Sequence, residues 1–579
     1  MTGLGVDGTF SVWAPAAGSV SVVVDGATWP MAADEGWWTA TVEGAGPGSR
    51  YAYAIDGADP LPDPRSRRQP DGVHAASQVW APGSVLPDDG WTGRSLAGSV
   101  IYELHVGTFT PGGTFDSAVE RLDHLADLGV TLVEVLPVNA FDGTRGWGYD
   151  GVLWFAVTEN YGGPDAFRRF VDACHERGLG VVLDVVYNHL GPSGAYLDRF
   201  GPYFSGSNDW GSALNLDGPG SDTVRAYILE NVAMWFADFG VDALRLDAVH
   251  ALRDSRATHL LEEMAVVVQG LEATLGRPLT LVAESDLNDP RLVTPREAGG
   301  YGLDAQWCDD IHHALHSTLT GETQGYYVDF GELETLGRVL REAYVHAGTW
   351  STFRGRTHGR PVDLDRVPGW RFLAYLQDHD QIGNRAGGDR LTATLSPGLL
   401  ACGAALVFCS PFTPMLFMGE EWGASTPWAF FVGFEDPELQ DAVREGRRRE
   451  FAEHGWGAEE VPDPTDVATF ERSRLDWTEA EEGQHAWLLE VHRDLIALRR
   501  SERELADPRL DRVRCDVDAG ARTLVLHRGA LRLVVNLGAG EATVAVDGAT
   551  EVLWAPFEVG LSEAAVVLPG ESCAVVRTS

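Results

Sequence analysis

A chain of 579 residues is too long for one hydrophobic core, so we expect two to four domains. Its formal net charge is −41, which argues against nucleic acid or an anionic membrane as a partner. All 44 basic residues are arginines, and the absence of lysine excludes Schiff-base chemistry and a Walker phosphate loop. The six cysteines are scattered, and the sequence has neither a leader-like N-terminus nor an uninterrupted apolar span. We therefore expect free thiols, no cofactor and a cytoplasmic location.

The N-terminal region is predicted to be a small β-sandwich. Residues 10–55 alternate short β-branched and aromatic runs with Gly, Pro and Asp turns. Residues 59–89 are rich in Pro, Asp and Gly, which is typical of a linker. Short strands return at the C-terminal end and indicate a second β-sandwich. The predicted domains are therefore residues 1–90, 91–503 and 504–579.

The middle domain alternates predicted strands with amphipathic helical stretches. Eight such βα units indicate an α/β fold, a (β/α)8 TIM barrel. The predicted strands are residues 101–109, 131–138, 180–189, 242–249, 279–286, 304–307, 372–380 and 414–422.

Polar residues follow the apolar runs of several predicted strands. Barrel enzymes draw their catalytic groups from the C-terminal ends of different strands, so these side chains should converge. Clustered carboxylates are costly unless they are paired, neutralised or used. They suit metal-assisted hydrolysis or glycoside hydrolysis, and the tight ligand spacings of a metal site, such as H-E-x-x-H, are absent. The converging residues are Asp184, His189, Arg245, Asp247, Glu284, His379 and Asp380.

Four segments resemble the signature segments of the α-amylase superfamily of glycoside hydrolases: DVVYNH (184–189), ALRLDAVH (243–250), VAESD (282–286) and LQDHDQIGN (376–384). YELHVGTF and HDQIGNRAGGDRL, with other stretches over nearly the whole chain, narrow the resemblance to the maltooligosyltrehalose trehalohydrolases. This resemblance implies hydrolysis of the α-1,4 bond next to the terminal trehalose unit of maltooligosyl trehalose. It also implies a separate synthase that supplies this substrate.

The resemblance also assigns roles. It makes Asp247 the nucleophile, Glu284 the general acid and base, and Asp380 the stabiliser of the transition state. A retaining mechanism requires the first two carboxyl groups to lie roughly 5–5.5 Å apart. Tyr149 would stack beneath the sugar ring, and Asp184 would hold Arg245. The substrate-binding residues implied are Tyr149, Asp184, His189, Arg245, His250, Asp309, Asp310, His312, His313, His379, Gln381 and Asn384.

Two positions depart from the superfamily pattern. Asp378 stands where many relatives have Asn, and we expect this extra acid to raise the pKa of Asp380. Asn188 stands where some α-amylases bind calcium, but the subfamily generally lacks that ion, so we predict no metal.

Two alternatives remain open at this stage. A glycogen branching or debranching enzyme would share the same domains and carboxylates and differ in the acceptor. A non-catalytic glucan-binding protein could keep the barrel as a scaffold, although such a protein is expected to lose one of the three acids.

Overall fold

The structure is a computed structural model that describes residues 5–82, 90–453 and 461–579. The predicted linker is described to residue 82, and its remainder lies outside the described residues. The predicted fold class is confirmed: an eight-stranded parallel barrel closes on itself, and antiparallel sheets lie on either side of it in the chain.

Two antiparallel sheets form the N-terminal domain. Each sheet contributes a buried aromatic residue to a shared core, because the rings of Phe10 and Tyr51 lie 5.0 Å apart. One sheet contains Thr9–Trp13, Trp37–Thr41 and Ala32–Asp34, and the other contains Ala27–Pro30, Val20–Val24, Arg50–Ile55 and Ser77–Gln78.

The described part of the predicted linker is anchored to the barrel. Residues 60–82 pack against the barrel through arginine contacts. Arg65 Nε donates to Glu230 Oε2 at 2.9 Å, and Arg68 Nε donates to Glu159 Oε1 at 2.8 Å. The Pro, Asp and Gly residues of this stretch therefore form turns between anchored points, a role that composition alone does not distinguish from a free linker.

The barrel strands are buried on both faces, which explains their nearly continuous apolar sequences. Consecutive strands pair in parallel, and the last pairs with the first through Met415 and Ile101. We label them β1 (Ile101–Leu104), β2 (Leu132–Val135), β3 (Gly180–Val185), β4 (Ala243–Leu246), β5 (Thr280–Ala283), β6 (Ala305–Trp307), β7 (Phe372–Ala374) and β8 (Thr413–Phe417).

Most of these strands end earlier than predicted. The run predicted as 372–380 ends at Ala374, and the run predicted as 242–249 ends at Leu246. Apolar residues continue beyond the hydrogen-bonded ladder because the following turns are also buried. Asp184 and Arg245 are the last residue but one of β3 and of β4, and the other polar residues of interest lie on the turns past the strands, at the C-terminal end of the barrel.

Helices surround the barrel and fill its connections. None of the helices in the described part of the chain is long and apolar enough to cross a membrane. The longer ones are Gly163–Glu176, Ser221–Asp238, Leu260–Leu275, Asp309–Thr320, Leu333–Glu342, Pro397–Cys409, Pro437–Glu453 and Gly483–Ser501. The shorter ones are Val106–Phe109, Phe115–Val119, Leu122–Leu128, Leu197–Phe200, His379–Gly383 and Val467–Glu471.

In the described part of the barrel connections there are three antiparallel strand pairs. They are Asn139–Ala140 with Leu153–Val157, Phe204–Asn208 with Gly211–Leu214, and Thr349–Ser351 with Arg356–His358.

The C-terminal domain packs on the barrel through helix Pro397–Cys409. The approach is close at Gly398, where an added Cβ would lie 2.0 Å from the carbonyl oxygen of Glu571. One sheet contains Arg514–Asp518, Thr523–Arg528, Leu531–Asn536, Ser572–Thr578 and Ala549–Trp554, and the other contains Ala542–Ala545, Ala565–Leu568 and Gly560–Leu561.

Candidate active site

The backbone places Asp247 and Glu284 side by side. Leu246 and Ala283 are paired across β4 and β5, and the next residue on each chain is one of these acids. The ladder continues through this row, since Glu284 N donates to Leu246 O at 2.9 Å. Adjacent parallel strands that end in register therefore bring both carboxyl groups to the same end of the barrel.

Arg245 is the cation that holds this site together. Its side chain is completely buried, and its guanidinium lies 4.5 Å from the ring centre of Trp307. Nη1 donates to Asp247 Oδ1 at 2.6 Å and to the two oxygens of Asp184 at 3.1 and 3.0 Å. Nη2 lies 3.8 Å from Glu284 Oε2. One guanidinium thus contacts both carboxyl groups that were predicted to react.

Glu284 is held by the turn that follows Asp247. Its Oε2 accepts a hydrogen bond from the backbone N–H of Ala248 at 2.5 Å. Ala248 has φ +39°, a left-handed conformation that costs a non-glycine residue energy. Burial raises the pKa of Glu284 to about 8, with Arg245 opposing the shift and Asp247 adding to it. Glu284 is therefore protonated at neutral pH.

Asp247 has a donor for each carboxylate oxygen. Arg245 serves Oδ1, and Asn188 Nδ2 donates to Oδ2 at 2.6 Å. The adjacent His189 is hydrogen-bonded to Asn188 Oδ1, and its Nε2 lies 3.1 Å from the carbonyl oxygen of Tyr149. Sequence reasoning considered Asn188 only as a possible calcium position and missed its contact with Asp247.

His379, just past β7, connects the site to the other side of the barrel. Its Nε2 lies 2.8 Å from the hydroxyl of Tyr149, which donates to Asp184 Oδ2 at 2.5 Å. The rings of Tyr149 and His379 are nearly parallel, with centres 5.1 Å apart. Burial alone would lower the pKa of His379, but Asp380 and Glu103 raise it to about 10. The imidazole is therefore positively charged at neutral pH.

Asp380 is the most open of the three predicted catalytic acids. Its carboxylate is about half exposed and lies 3.5 Å from His379 Nε2. Asn384 Nδ2 donates to Asp380 Oδ1 at 3.0 Å, within one turn of helix His379–Gly383. Asp380 is thus free on one side for a ligand.

Asp378 has its own structural role. It caps helix His379–Gly383 by accepting from Gln381 N at 2.7 Å. Burial and the nearby charge of Glu103 raise the pKa of Asp378 itself. The expectation that it perturbs Asp380 stays a prediction.

The predicted residues of helix Asp309–Thr320 form a second group. Asp309 Oδ1 accepts from the hydroxyl of Tyr375 at 2.6 Å, and burial raises its pKa to about 6. Asp310 is buried and faces neighbouring loops, where it accepts from Asn288 Nδ2, Val345 N and His346 N. Asp309 lies near the carboxylate cluster, since its charge contributes to the raised pKa of Glu284. The described contacts of Asp310 are all internal.

His312, His313 and Gln381 gather around two tyrosines. His312 Nε2 lies 3.1 Å from the hydroxyl of Tyr327, which also donates to Gln381 Oε1 at 3.4 Å. The ring of His313 lies 5.0 Å from that of Tyr326, and burial lowers the pKa of His313 to about 3. These histidines are therefore neutral and largely enclosed.

His250 lies just past β4. Its Nδ1 is 4.0 Å from Asp286 Oδ1, and its ring is 5.8 Å from that of the exposed Trp210. The structure therefore brings His250 near the turn after β5.

Within residues 5–82, 90–453 and 461–579, no group of three or more His, Cys, Asp or Glu side chains is arranged to hold a metal ion.

Comparisons with known proteins agree with this architecture. Family models match three parts of the chain: carbohydrate-binding module 48 (isoamylase N-terminal domain) at residues 3–70, the alpha amylase catalytic domain at 68–210, and a domain of unknown function at 508–575. A solved structure described as an alpha amylase from Salmonella typhimurium has a TM-score of 0.90 and 37% identity, over 99% of this chain and 97% of that one.

Sequence relatives give a finer comparison. A malto-oligosyltrehalose trehalohydrolase of Arthrobacter ramosus is 56% identical over 576 residues, which is 98% of this chain and 99% of that protein. A 1,4-alpha-glucan branching enzyme of Corynebacterium jeikeium is 27% identical over 482 residues, 75% of this chain and 64% of that one.

Proposed function

The chain belongs to the malto-oligosyltrehalose trehalohydrolases of the α-amylase family, and we propose that it hydrolyses the α-1,4-glucosidic bond next to the terminal trehalose unit of maltooligosyl trehalose. Trehalose and a shortened maltooligosaccharide are the products. The observation that carries the proposal is the unequal pair at the ends of β4 and β5. Asp247 accepts hydrogen bonds from the guanidinium of Arg245 and the side-chain amide of Asn188, whereas Glu284 retains its proton at neutral pH.

The first step uses this inequality. Asp247 attacks the anomeric carbon while Glu284 gives its proton to the departing glycosidic oxygen. A covalent glycosyl–enzyme forms, and trehalose leaves with that oxygen as a hydroxyl group. Arg245 and Asn188 orient the attacking carboxylate. A neutral carboxylic acid next to an ionised one is the arrangement that this chemistry needs.

The second step reverses the roles. Once Asp247 is esterified, its negative charge is gone, and the repulsion that helps to hold the proton on Glu284 disappears with it. Glu284 then takes a proton from water as the water attacks the anomeric carbon. Asp247 is released as a carboxylate, and the anomeric configuration is retained.

The remaining side chains would bind the sugar on either side of the cleaved bond. Asp380 offers an acceptor for hydroxyl groups of the sugar that forms the covalent intermediate, and the charged imidazole of His379 lies beside it. Tyr149 lies beside them and offers an aromatic surface. On the trehalose side we propose Asp309 and His250, whereas the internal contacts of Asp310 support a structural role.

The activity is tested with the predicted nucleophile and acid. Asp247→Asn and Glu284→Gln should each lower trehalose release by roughly a thousandfold or more, because each removes a group needed in the transition state. Asp123→Asn, a matched change at an exposed aspartate paired with Arg177, should leave turnover unchanged. Near-normal turnover in Asp247→Asn would show that Asp247 is not the nucleophile, whereas absence of turnover in the parent protein would support a barrel that only binds glucan.

The reaction products distinguish the proposed hydrolysis from the activity of a branching enzyme. The purified protein should release trehalose from maltooligosyl trehalose, a reaction in which water is the acceptor. Formation of α-1,6 branches on amylose without trehalose release would overturn the proposal. A partner synthase that makes the substrate is part of the proposal. If the two enzymes act in sequence, this protein should release trehalose from the product of such a synthase.

A further inference from the structure

Glu103 is a buried acid of β1 that lies outside the predicted site. Its side chain is about 1% exposed, and both of its oxygens are directed at one residue. Oε1 accepts from His379 Nδ1 at 2.5 Å, and Oε2 accepts from the backbone N–H of His379 at 3.1 Å. Glu103 therefore fixes the position of the imidazole and of its peptide group.

A continuous chain of hydrogen bonds leads from Glu103 to Asp247. His379 bonds to the hydroxyl of Tyr149, and this hydroxyl donates to Asp184. Asp184 in turn holds Arg245 Nη1, the same nitrogen that donates to Asp247 at 2.6 Å. Five contacts thus connect a buried acid in β1 with the proposed nucleophile after β4.

The direction of this chain requires a doubly protonated imidazole. The hydroxyl of Tyr149 has one proton and donates it to Asp184, so His379 Nε2 must donate to that hydroxyl. His379 Nδ1 must also donate, because Glu103 is its acceptor. Both ring nitrogens carry protons only in the imidazolium form.

We propose that Glu103 is a positioning residue for the hydrolysis: it keeps His379 in the imidazolium form and so fixes Tyr149, Asp184 and Arg245 around the nucleophile. The proposal rests on the function proposed above. Without the negative charge of Glu103, His379 releases a proton more readily, and the bare Nε2 becomes an acceptor. Two acceptors, His379 and Asp184, then compete for the single proton of Tyr149, and the chain to Arg245 is interrupted.

Other charged groups also act on His379. Among them, Asp380, Asp378 and Asp184 favour its charged form, whereas His105, whose pKa is lowered to about 3 by burial, is neutral near neutral pH. The titratable groups that face His379 are Glu103 and His105 from β1 and the turn after it, Glu134 from β2, Asp184 from β3, Tyr149 from the loop after β2, and Asp378 and Asp380 from its own turn.

The barrel offers a matched control at Glu134. This residue is paired with Glu103 across β1 and β2 and is equally buried, yet its carboxyl oxygens make no hydrogen bond to the described residues. Glu134→Gln and Glu103→Gln are therefore the same substitution on neighbouring strands. Only one of them removes a partner of His379.

The experiment compares kcat and KM on maltooligosyl trehalose from about pH 5.5 to about pH 8. We expect Glu103→Gln to lose roughly 10- to 100-fold in kcat, as removal of a group that orients an active-site ligand commonly does. The loss should deepen as the pH rises, because His379 deprotonates earlier in the variant. Glu103→Asp should recover part of the loss, KM should change less than kcat, and Glu134→Gln should stay within about twofold of the parent.

Two results would overturn the positioning role. One is a loss in Glu103→Gln that is the same at every pH, and the other is an equal loss in Glu134→Gln. If Glu103→Gln does not fold, the pKa of the His379 imidazole is measured by NMR in the parent protein and in Glu103→Asp. A pKa near the ordinary value of histidine in the parent protein would contradict the proposal. An inactive parent protein would instead refute the proposed function. The NMR measurement would still show whether Glu103 keeps His379 in the imidazolium form.

Discussion

Glu284 keeps its catalytic proton at a cost to the stability of the fold. In the unfolded chain its pKa is near the ordinary 4.5, whereas burial raises it to about 8 in the folded protein. Between these two values the folded state holds a proton that the unfolded state has released. The free energy of unfolding therefore falls as the pH rises from about 4.5 to about 8, and this effect is constant above that range.

Replacing Glu284 with glutamine should stabilise the protein while abolishing activity. Glutamine has the same shape and cannot ionise, so the advantage of Glu284→Gln over the parent should grow across that pH window and then stay level. Urea unfolding at about pH 5, 7 and 9 measures it. The exposed Glu334→Gln serves as a control and should show no such trend. An advantage that shrinks with rising pH would contradict the assignment of Glu284 as the protonated acid.

At the scale of single elements, helix Asp309–Thr320 begins with two acids that have different surroundings. Asp309 accepts a hydrogen bond from the hydroxyl of Tyr375, and its charge helps to raise the pKa of Glu284. Asp310 accepts three N–H groups and so ties the start of the helix to the turn after β5 and to the chain after helix Leu333–Glu342. One turn of helix thus serves both the site and the scaffold.

We expect Asp310→Asn to reduce stability more than activity. All three N–H groups donate to the same oxygen, Oδ2, and an amide oxygen accepts them without the negative charge that strengthens such bonds, so the free energy of unfolding should fall by about 2–3 kcal/mol. Asp309→Asn is the matched change and should alter kcat/KM with a smaller effect on unfolding. Urea titrations and steady-state kinetics on both variants check this. An unchanged unfolding curve with a raised KM in Asp310→Asn would restore the sequence-based prediction that Asp310 binds substrate.

The sequence predicted the elements better than their ends and contacts. Eight apolar runs at βα spacing were enough for the barrel, because a strand buried on both faces must be apolar throughout. Because the apolar runs continue past the strands, the sequence does not show where each strand ends. The run predicted as 372–380 contains only three strand residues, Phe372–Ala374. Glu103 was missed because a carboxylate inside a strand gives no sign of which neighbour it faces. Asp247 and Glu284 could be predicted as site residues because each follows an apolar run.

At the scale of the whole molecule, the three parts are held by short-range contacts while their charges repel. Helix Pro397–Cys409 is covered by the barrel on one side and by the C-terminal sheet on the other, where Gly398 allows close approach to Glu571. Arg65 and Arg68 anchor the stretch after the N-terminal sandwich. Against this, 85 acidic residues face only 44 arginines, so many carboxylates have no cationic partner to offset them.

Added salt should therefore stabilise this protein at neutral pH. Salt weakens surface ion pairs, but each is worth little, whereas the net charge of −41 produces repulsion over the whole surface. Raising NaCl from about 0.02 M to about 0.5 M shortens the screening length several-fold, so Tm should rise at about pH 7. Near the sequence pI of about 4.6 the net charge vanishes and the same salt series should have little effect. A Tm that falls with salt at neutral pH would mean that the surface ion pairs, such as Arg169 with Asp116, outweigh the repulsion.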